Sequence, residues 1–182
     1  MNAFRTILIL VAAFLAVFWA SAFNLVRNLL GAQIDLLPAL VVYASLCGGL
    51  TSVSLLAFAG GLWFDSLSAN PLGVSVLPLF LIGLVIYVLR ELILRDQVYA
   101  QLVLGLAASA AVPVLNLILL LTMGYEPLLG WGSLWQWIVM SLGGAVATPV
   151  VFIAFEWVHR AFIHDHAIES SFRPDREIRR GR

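Results

Sequence analysis

Six apolar runs, at roughly 6–24, 36–47, 50–64, 72–89, 98–122 and 134–158, take up most of the chain and leave short polar breaks between them. A hydrocarbon core of about 30 Å is crossed by roughly 20 apolar residues in a helix. The runs therefore use up nearly all of the 182 residues and leave no room among them for a soluble domain. Composition agrees, with 62% of residues hydrophobic and 11% charged, against roughly 45–50% and about 25% in soluble domains. The pattern predicts an all-α membrane protein. We expect a six-helix transmembrane bundle with short loops over residues 1–163, then a polar, disordered cytoplasmic tail over 164–182.

The second and third runs are the difficult ones. At 1.5 Å per residue, 36–47 is only about 18 Å long, and a fused 36–64 would reach about 43 Å. Gly48-Gly49 stands between them, followed by Thr51, Ser52 and Ser54. Paired glycines favour a turn, so a hairpin of two short helices is expected. The first 25 residues have a signal-peptide outline, with Arg5, an apolar stretch from Ile7 to Trp19 and then Ala20-Ser21-Ala22. They read here as an uncleaved first span.

Ten basic residues balance ten acidic ones, and every basic residue is Arg. Net charge thus gives no reason to expect nucleic acid, whereas the placement of charge sets orientation. With six spans and an inner N-terminus, Arg5, Arg90, Arg95, Arg160 and five tail residues from Arg173 to Arg182 are cytoplasmic, and only Arg27 is outside. Five spans exchange Arg5 for Arg27 and give the same ratio. Both arrangements put the C-terminus in the cytoplasm and the loops at 65–71 and 123–133 on the far side. Trp131, Trp135 and Trp137 suit that outer interface, where amphipathic rings sit at headgroup level. No inverted repeat is evident: Pro113 and Pro149 interrupt two late runs, but only Pro38 stands near a helix start in the first half.

Few residues suggest chemistry. Cys47 is alone, so no internal disulfide and no cysteine metal site is expected. His159, His164, His166 and Asp165 are metal-ligating types in a stretch with nothing to fix their geometry. H-E-x-x-H, a phosphate-binding glycine loop and a G-x-S-x-G elbow do not occur. We expect no enzyme, no metal and no cofactor. Glu156 and Arg160 are spaced to pair along a helix.

The densest polar cluster beside the membrane is Asp65-Ser66-Leu67-Ser68-Ala69-Asn70-Pro71-Leu72-Gly73, after the small-residue stretch Ala57-Phe58-Ala59-Gly60-Gly61. Ala57 and Gly61, four apart, offer a flat face for close helix packing. Ser68, Asn70 and Pro71 supply turn chemistry, and Gly73 permits an unusual dihedral. A carboxylate here can accept backbone N–H bonds and cap the next helix, or it can meet a ligand, a proton or a partner. Asn116, three residues after Pro113 within a span, is a functional candidate by depth; it can equally bond to a neighbouring helix beside the carbonyl that proline frees.

At this cluster the sequence resembles the MreD family of bacterial rod shape-determining membrane proteins. The shared pattern is Gly, three residues, Asp, two residues, Ser, a short turn and Leu-Gly, here Gly61-Leu62-Trp63-Phe64-Asp65-Ser66-Leu67-Ser68-Ala69-Asn70-Pro71-Leu72-Gly73-Val74. The likeness extends to the charged turn at Arg90–Asp96, and loosely to length, span spacing and Pro149. Asp35 to Tyr43 resembles the family's Pro-Asp-apolar-Tyr stretch, with Ile34 where Pro is usual and Pro38 a turn later. Basic residues common after the second helix are replaced by Cys47-Gly48-Gly49.

The resemblance implies a non-enzymatic inner-membrane scaffold of the cell-elongation machinery. It implies binding to MreC and, through it, association with MreB, RodA and a class B penicillin-binding protein. It also implies a fold similar to the six-helix substrate-binding subunits of energy-coupling-factor transporters, with an outward pocket near Asp65 for a lipid or small molecule. Gly61, Asp65, Ser68, Pro71, Leu72, Gly73 and Asn116 are then the partner or pocket candidates. The competing expectation is a vitamin-binding subunit of such a transporter; an ion or proton channel would need further ionisable residues within the spans.

Overall fold

The computed structural model describes residues 3–22, 31, 33–68, 70–92, 97–125 and 130–167. All regular structure among them is helical: α1 (Ala3–Ala22), α2 (Leu37–Cys47), α3 (Leu50–Leu67), α4 (Val76–Leu89), α5 (Val98–Thr122) and α6 (Trp131–Ala167). Contacts divide the chain into two units, Met1–Val151 and Phe152–Arg182.

The shortest helix is the one its neighbours enclose. With 11 residues, α2 is about 16 Å long and cannot cross a bilayer unaided. Every residue from Leu37 to Leu46 is buried, and α2 touches α1, α3, α4 and α5. A helix apolar all round belongs inside, and here its sequence has no polar face to offer lipid or water. Pro38 sits in its first turn, where the missing N–H has no helical partner to lose. Gly83 lets α4 lie close, since a Cβ there would run into Val53 and Val41.

The hairpin expected at Gly48-Gly49 is present, with α2 ending at Cys47 and α3 starting at Leu50. Gly48 has no space for a side chain, because a Cβ would stand 2.6 Å from the Ala44 carbonyl oxygen. The last carbonyls of α2 are met by arginines from other helices. Arg5 Nη1 donates to Cys47 O at 2.7 Å, and Arg90 Nη1 reaches Gly48 O at 3.5 Å. The Arg90 guanidinium also lies 4.3 Å from the Tyr87 ring centroid. Positive charge at a helix C-terminus is favourable. A turn without basic residues of its own therefore borrows two. These bonds bring the start of α1, the α2–α3 turn and the end of α4 to one end of the first unit.

Helix α1 presents Ile9, Ala13 and Val17 inward at four-residue spacing, while Phe14, Leu15, Phe18 and Trp19 are exposed. It meets α3 through a Thr6–Ser52 hydroxyl bond of 2.8 Å and an edge-on contact of Phe14 with Trp63. Small residues let α5 and α6 cross closely: a Cβ on Gly105 would collide with Thr148, and one on Gly144 with Ser109. Neither proline ends its helix, since α5 continues through Pro113 and α6 through Pro149. The Trp137 indole of α6 donates to Ala110 O of α5 at 3.0 Å, three residues before Pro113. Buried hydroxyls of Ser45 and Thr148 bond back to the carbonyls of Val41 and Gly144 within their own helices.

Among the described residues three stretches are long and apolar enough to cross a membrane: Leu50–Leu67, Val98–Thr122 and Trp131–Val158. Arg5–Ala20, Leu37–Cys47 and Val76–Leu89 are shorter apolar helices. Large apolar side chains, among them Phe58, Val88, Ile118, Leu142 and Val146, are exposed on these helices, which is compatible with lipid contact.

In the second unit, Arg160 and Glu156 pair at 3.3 Å along α6, both well exposed; such a pair contributes little. Helix α6 runs to Ala167, past residue 164 where the polar tail was expected to begin. The rest of that tail, together with Arg27 and Arg95, lies outside the described residues.

The α5–α6 crossing yields a direct test. Gly105→Val should lower the thermal midpoint in detergent through overpacking worth about 1–3 kcal/mol, whereas Ala107→Val, on the exposed side of α5, should leave it nearly unchanged. Equal midpoints for the two variants would contradict the crossing.

Candidate functional site

Asp65 is 1% exposed at the end of α3 and gathers the segment that leads into α4. Its Oδ2 accepts from the backbone N–H of Gly73 at 2.8 Å and of Ser75 at 3.1 Å, and its Oδ1 accepts from the Ser75 hydroxyl at 2.5 Å. Gly73 has φ of +91°, a conformation that glycine adopts without a side-chain penalty. That dihedral turns two N–H groups towards one carboxylate. Gly61, one turn before Asp65, lets the start of α4 approach, since a Cβ there would stand 2.9 Å from the Val76 backbone. The Ser68 hydroxyl donates to Asp65 O and accepts from the Asn70 N–H, both at 3.3 Å. Pro71 O accepts from the Val74 N–H at 3.3 Å. Leu72 is 71% exposed at the tip of the turn.

The polar chain continues into α5, where Asn116 Nδ2 donates to Ser75 Oγ at 3.4 Å. The direction of these bonds is fixed by elimination. A carboxylate only accepts, so the Ser75 hydroxyl gives its hydrogen to Asp65 and presents lone pairs to the Asn116 amide nitrogen. Asn116 Oδ1 is then an acceptor, buried, and no donor among the described residues reaches it. Such an atom costs about 1–3 kcal/mol if it stays unpaired.

Asn116 lines a cavity of about 240 Å³ at the Asp65 end of the bundle. Asp35, Asn70, Ser75 and Gln136 supply the rest of its polar wall, with Phe64, Leu79 and Met140 among its apolar groups. Asp35 precedes α2 and its Oδ1 accepts from the Leu37 N–H at 2.9 Å. Burial pushes its carboxyl up from the ordinary 3.8 to about 6, against the opposing pull of the Leu37 N–H. No Arg or His belongs to the described lining.

The structure thus gathers Gly61, Asp65, Ser68, Pro71, Leu72, Gly73 and Asn116 around one end of α3, α4 and α5. Asp35, Ser75 and Gln136 complete the wall without having been singled out as candidates from the sequence. Asp35 carried a signal, standing just before Pro38 in the stretch that resembles MreD; Ser75 and Gln136 carried none. The Ser75 hydroxyl is held between Asp65 and Asn116, which makes it a bridge. Among the described residues no group of three or more His, Cys, Asp or Glu could hold a metal. The side chains of His159, His164, Asp165 and His166 lie outside the described ones.

The fold defines a helical protein with three helices able to cross a membrane and a polar cavity near one end of the bundle. No protein-family profile, characterised protein or solved structure matches the chain.

Two substitutions probe the buried carboxylates. Asp65→Leu strips the acceptor from three donors and should cost roughly 3 kcal/mol or more, with faster hydrogen exchange at 73–76; unchanged protection there would contradict the described turn. For Asp35 the neutral form is favoured in the fold, so its contribution to stability is greatest below 3.8 and declines as pH rises through about 6. Asp35→Asn keeps an acceptor for Leu37 and should flatten that decline in thermal midpoint; an unchanged pH slope would exclude Asp35 as its source.

Proposed function

We propose that the chain is a non-enzymatic scaffold of the bacterial cell-elongation complex, similar to MreD, which binds MreC within the inner membrane and helps organise peptidoglycan synthesis and cell shape. MreB, RodA and a class B penicillin-binding protein join through the complex. The observation that carries this reading is the Gly61–Val74 segment. Its Gly, Asp and Leu-Gly positions are those that build the Asp65-centred turn, with Gly61 against Val76 and the Gly73 N–H on Asp65. A pattern with this much bonded structure is a better basis for resemblance than a run of apolar residues.

The six-span topology, with both termini cytoplasmic, belongs to the same proposal. It draws support from Arg5 and Arg90 meeting at the α2–α3 turn, which fits a cytoplasmic surface rich in Arg. A second reading, a small-molecule-binding subunit of an energy-coupling transporter, is favoured by one feature, the cavity beside Asn116.

Affinity purification at native expression, from gently solubilised membranes of a rod-shaped host, separates the two. The scaffold predicts recovery of MreC and cell-wall synthases. The transporter predicts an ATPase module with a stoichiometric water-soluble ligand and no MreC. Leu72→Asp alters the exposed tip and leaves the Asp65 bonds in place. It should preserve protein abundance while lowering MreC recovery about tenfold; full recovery would remove this turn from the contact.

A further inference from the structure

The cavity does not stand alone. Pro113 and Leu117, which line it on the α5 side, also line a larger groove of about 620 Å³ whose other walls include Val114, Leu134 and Trp137. A chamber with polar groups in its wall and an apolar groove thus share Pro113 and Leu117. That is the shape of a site for an amphiphile, with the head in one compartment and a chain in the other.

The chemistry of the head follows from what the chamber lacks and what it offers. Asn116 Oδ1 is a buried acceptor that no donor among the described residues reaches. Asp35, 9% exposed, brings a carboxyl that among the described residues accepts from the Leu37 N–H at the start of α2. The described lining holds no basic residue. The starts of α2 and α4 each face a carboxylate already, Asp35 and Asp65. An anionic head would therefore meet negative charge where a helix start would otherwise attract it. A head that donates hydrogen bonds and carries positive charge meets acceptors instead.

Depth is compatible with a lipid. Asn116 lies six residues before the end of α5 at Thr122, about 9 Å along the axis. At 25 residues, α5 exceeds the roughly 20 needed to span the core. Asn116 is thus close to the headgroup boundary.

We infer that this paired cavity and groove binds a membrane lipid with a primary ammonium head. The ammonium bonds to Asn116 Oδ1 and Asp35, the amides of Asn70 and Gln136 meet the adjoining phosphate, and an acyl chain lies along Leu117, Leu134 and Trp137. This assignment goes beyond the scaffold reading and is independent of it, because it is read on the purified chain with no partner.

The test is native mass spectrometry of the full-length protein in detergent, titrated with phosphatidylethanolamine, phosphatidylcholine and phosphatidylglycerol of identical chains, with free ethanolamine as competitor. The choline head keeps the charge and removes the donors, so phosphatidylethanolamine should bind about tenfold more tightly than phosphatidylcholine. Asn116→Leu should abolish that preference. Met140→Trp, which fills the chamber and leaves the Asp65 turn untouched, should do the same if Asn116→Leu fails to fold. Equal binding of the choline lipid, preference for phosphatidylglycerol, ethanolamine competing as tightly as the lipid, or a preference that survives Met140→Trp would each overturn the assignment.

Discussion

The central helix is too short for the membrane, and much of the described bundle is an answer to that. A helix end leaves backbone groups unpaired, and in an apolar setting each must find a partner. At its C-terminal end α2 has Arg5 and Arg90 on the carbonyls of Cys47 and Gly48. At its N-terminal end it has Asp35 on the Leu37 N–H. Neighbours on four sides cover its apolar surface. The polar cavity opens at the end where α2 begins, with Asp35 and Leu37 in its wall.

A similar constraint shapes the turn into α4. Three donors from Gly73 and Ser75 converge on Asp65, which would otherwise be a buried charge without compensation. The bonds hold the turn, the turn positions Ser75, and Ser75 orients Asn116. A chain of polar groups thus runs from the end of α3 to the wall of α5. Its last acceptor, Asn116 Oδ1, is buried without a protein donor among the described residues. Structural and binding roles meet in the same network, and removing Asp65 disturbs both.

The parts of this arrangement legible in the sequence are those with local causes. Paired glycines at 48–49 marked the α2–α3 turn, because a Cβ at Gly48 would stand against Ala44 O. The spacing of Gly61, Asp65 and Gly73 marked the buried turn, because each residue acts there through its own backbone or short side chain. What escaped depended on partners distant in the chain. Arg5 and Arg90 cap a helix that begins 32 residues after the first and ends 43 residues before the second, and no local pattern announces it. Ser75 and Gln136 are ordinary polar residues until α5 is packed beside them. Pro113 and Pro149 were expected to interrupt their helices; instead both helices run on through them.

The burial of α2 also bears on how such a bundle would assemble in a bilayer. A span that is stable alone can be inserted first and packed later. A helix of 11 residues falls well below the roughly 17–25 that hold a lone span in lipid. It is buried from Leu37 to Leu46, and three of its four neighbours, α3, α4 and α5, are synthesised after it. In a bilayer such a helix would not insert as an independent crossing. Most of its packing partners follow it in the chain, so for this helix placement and packing are a single process.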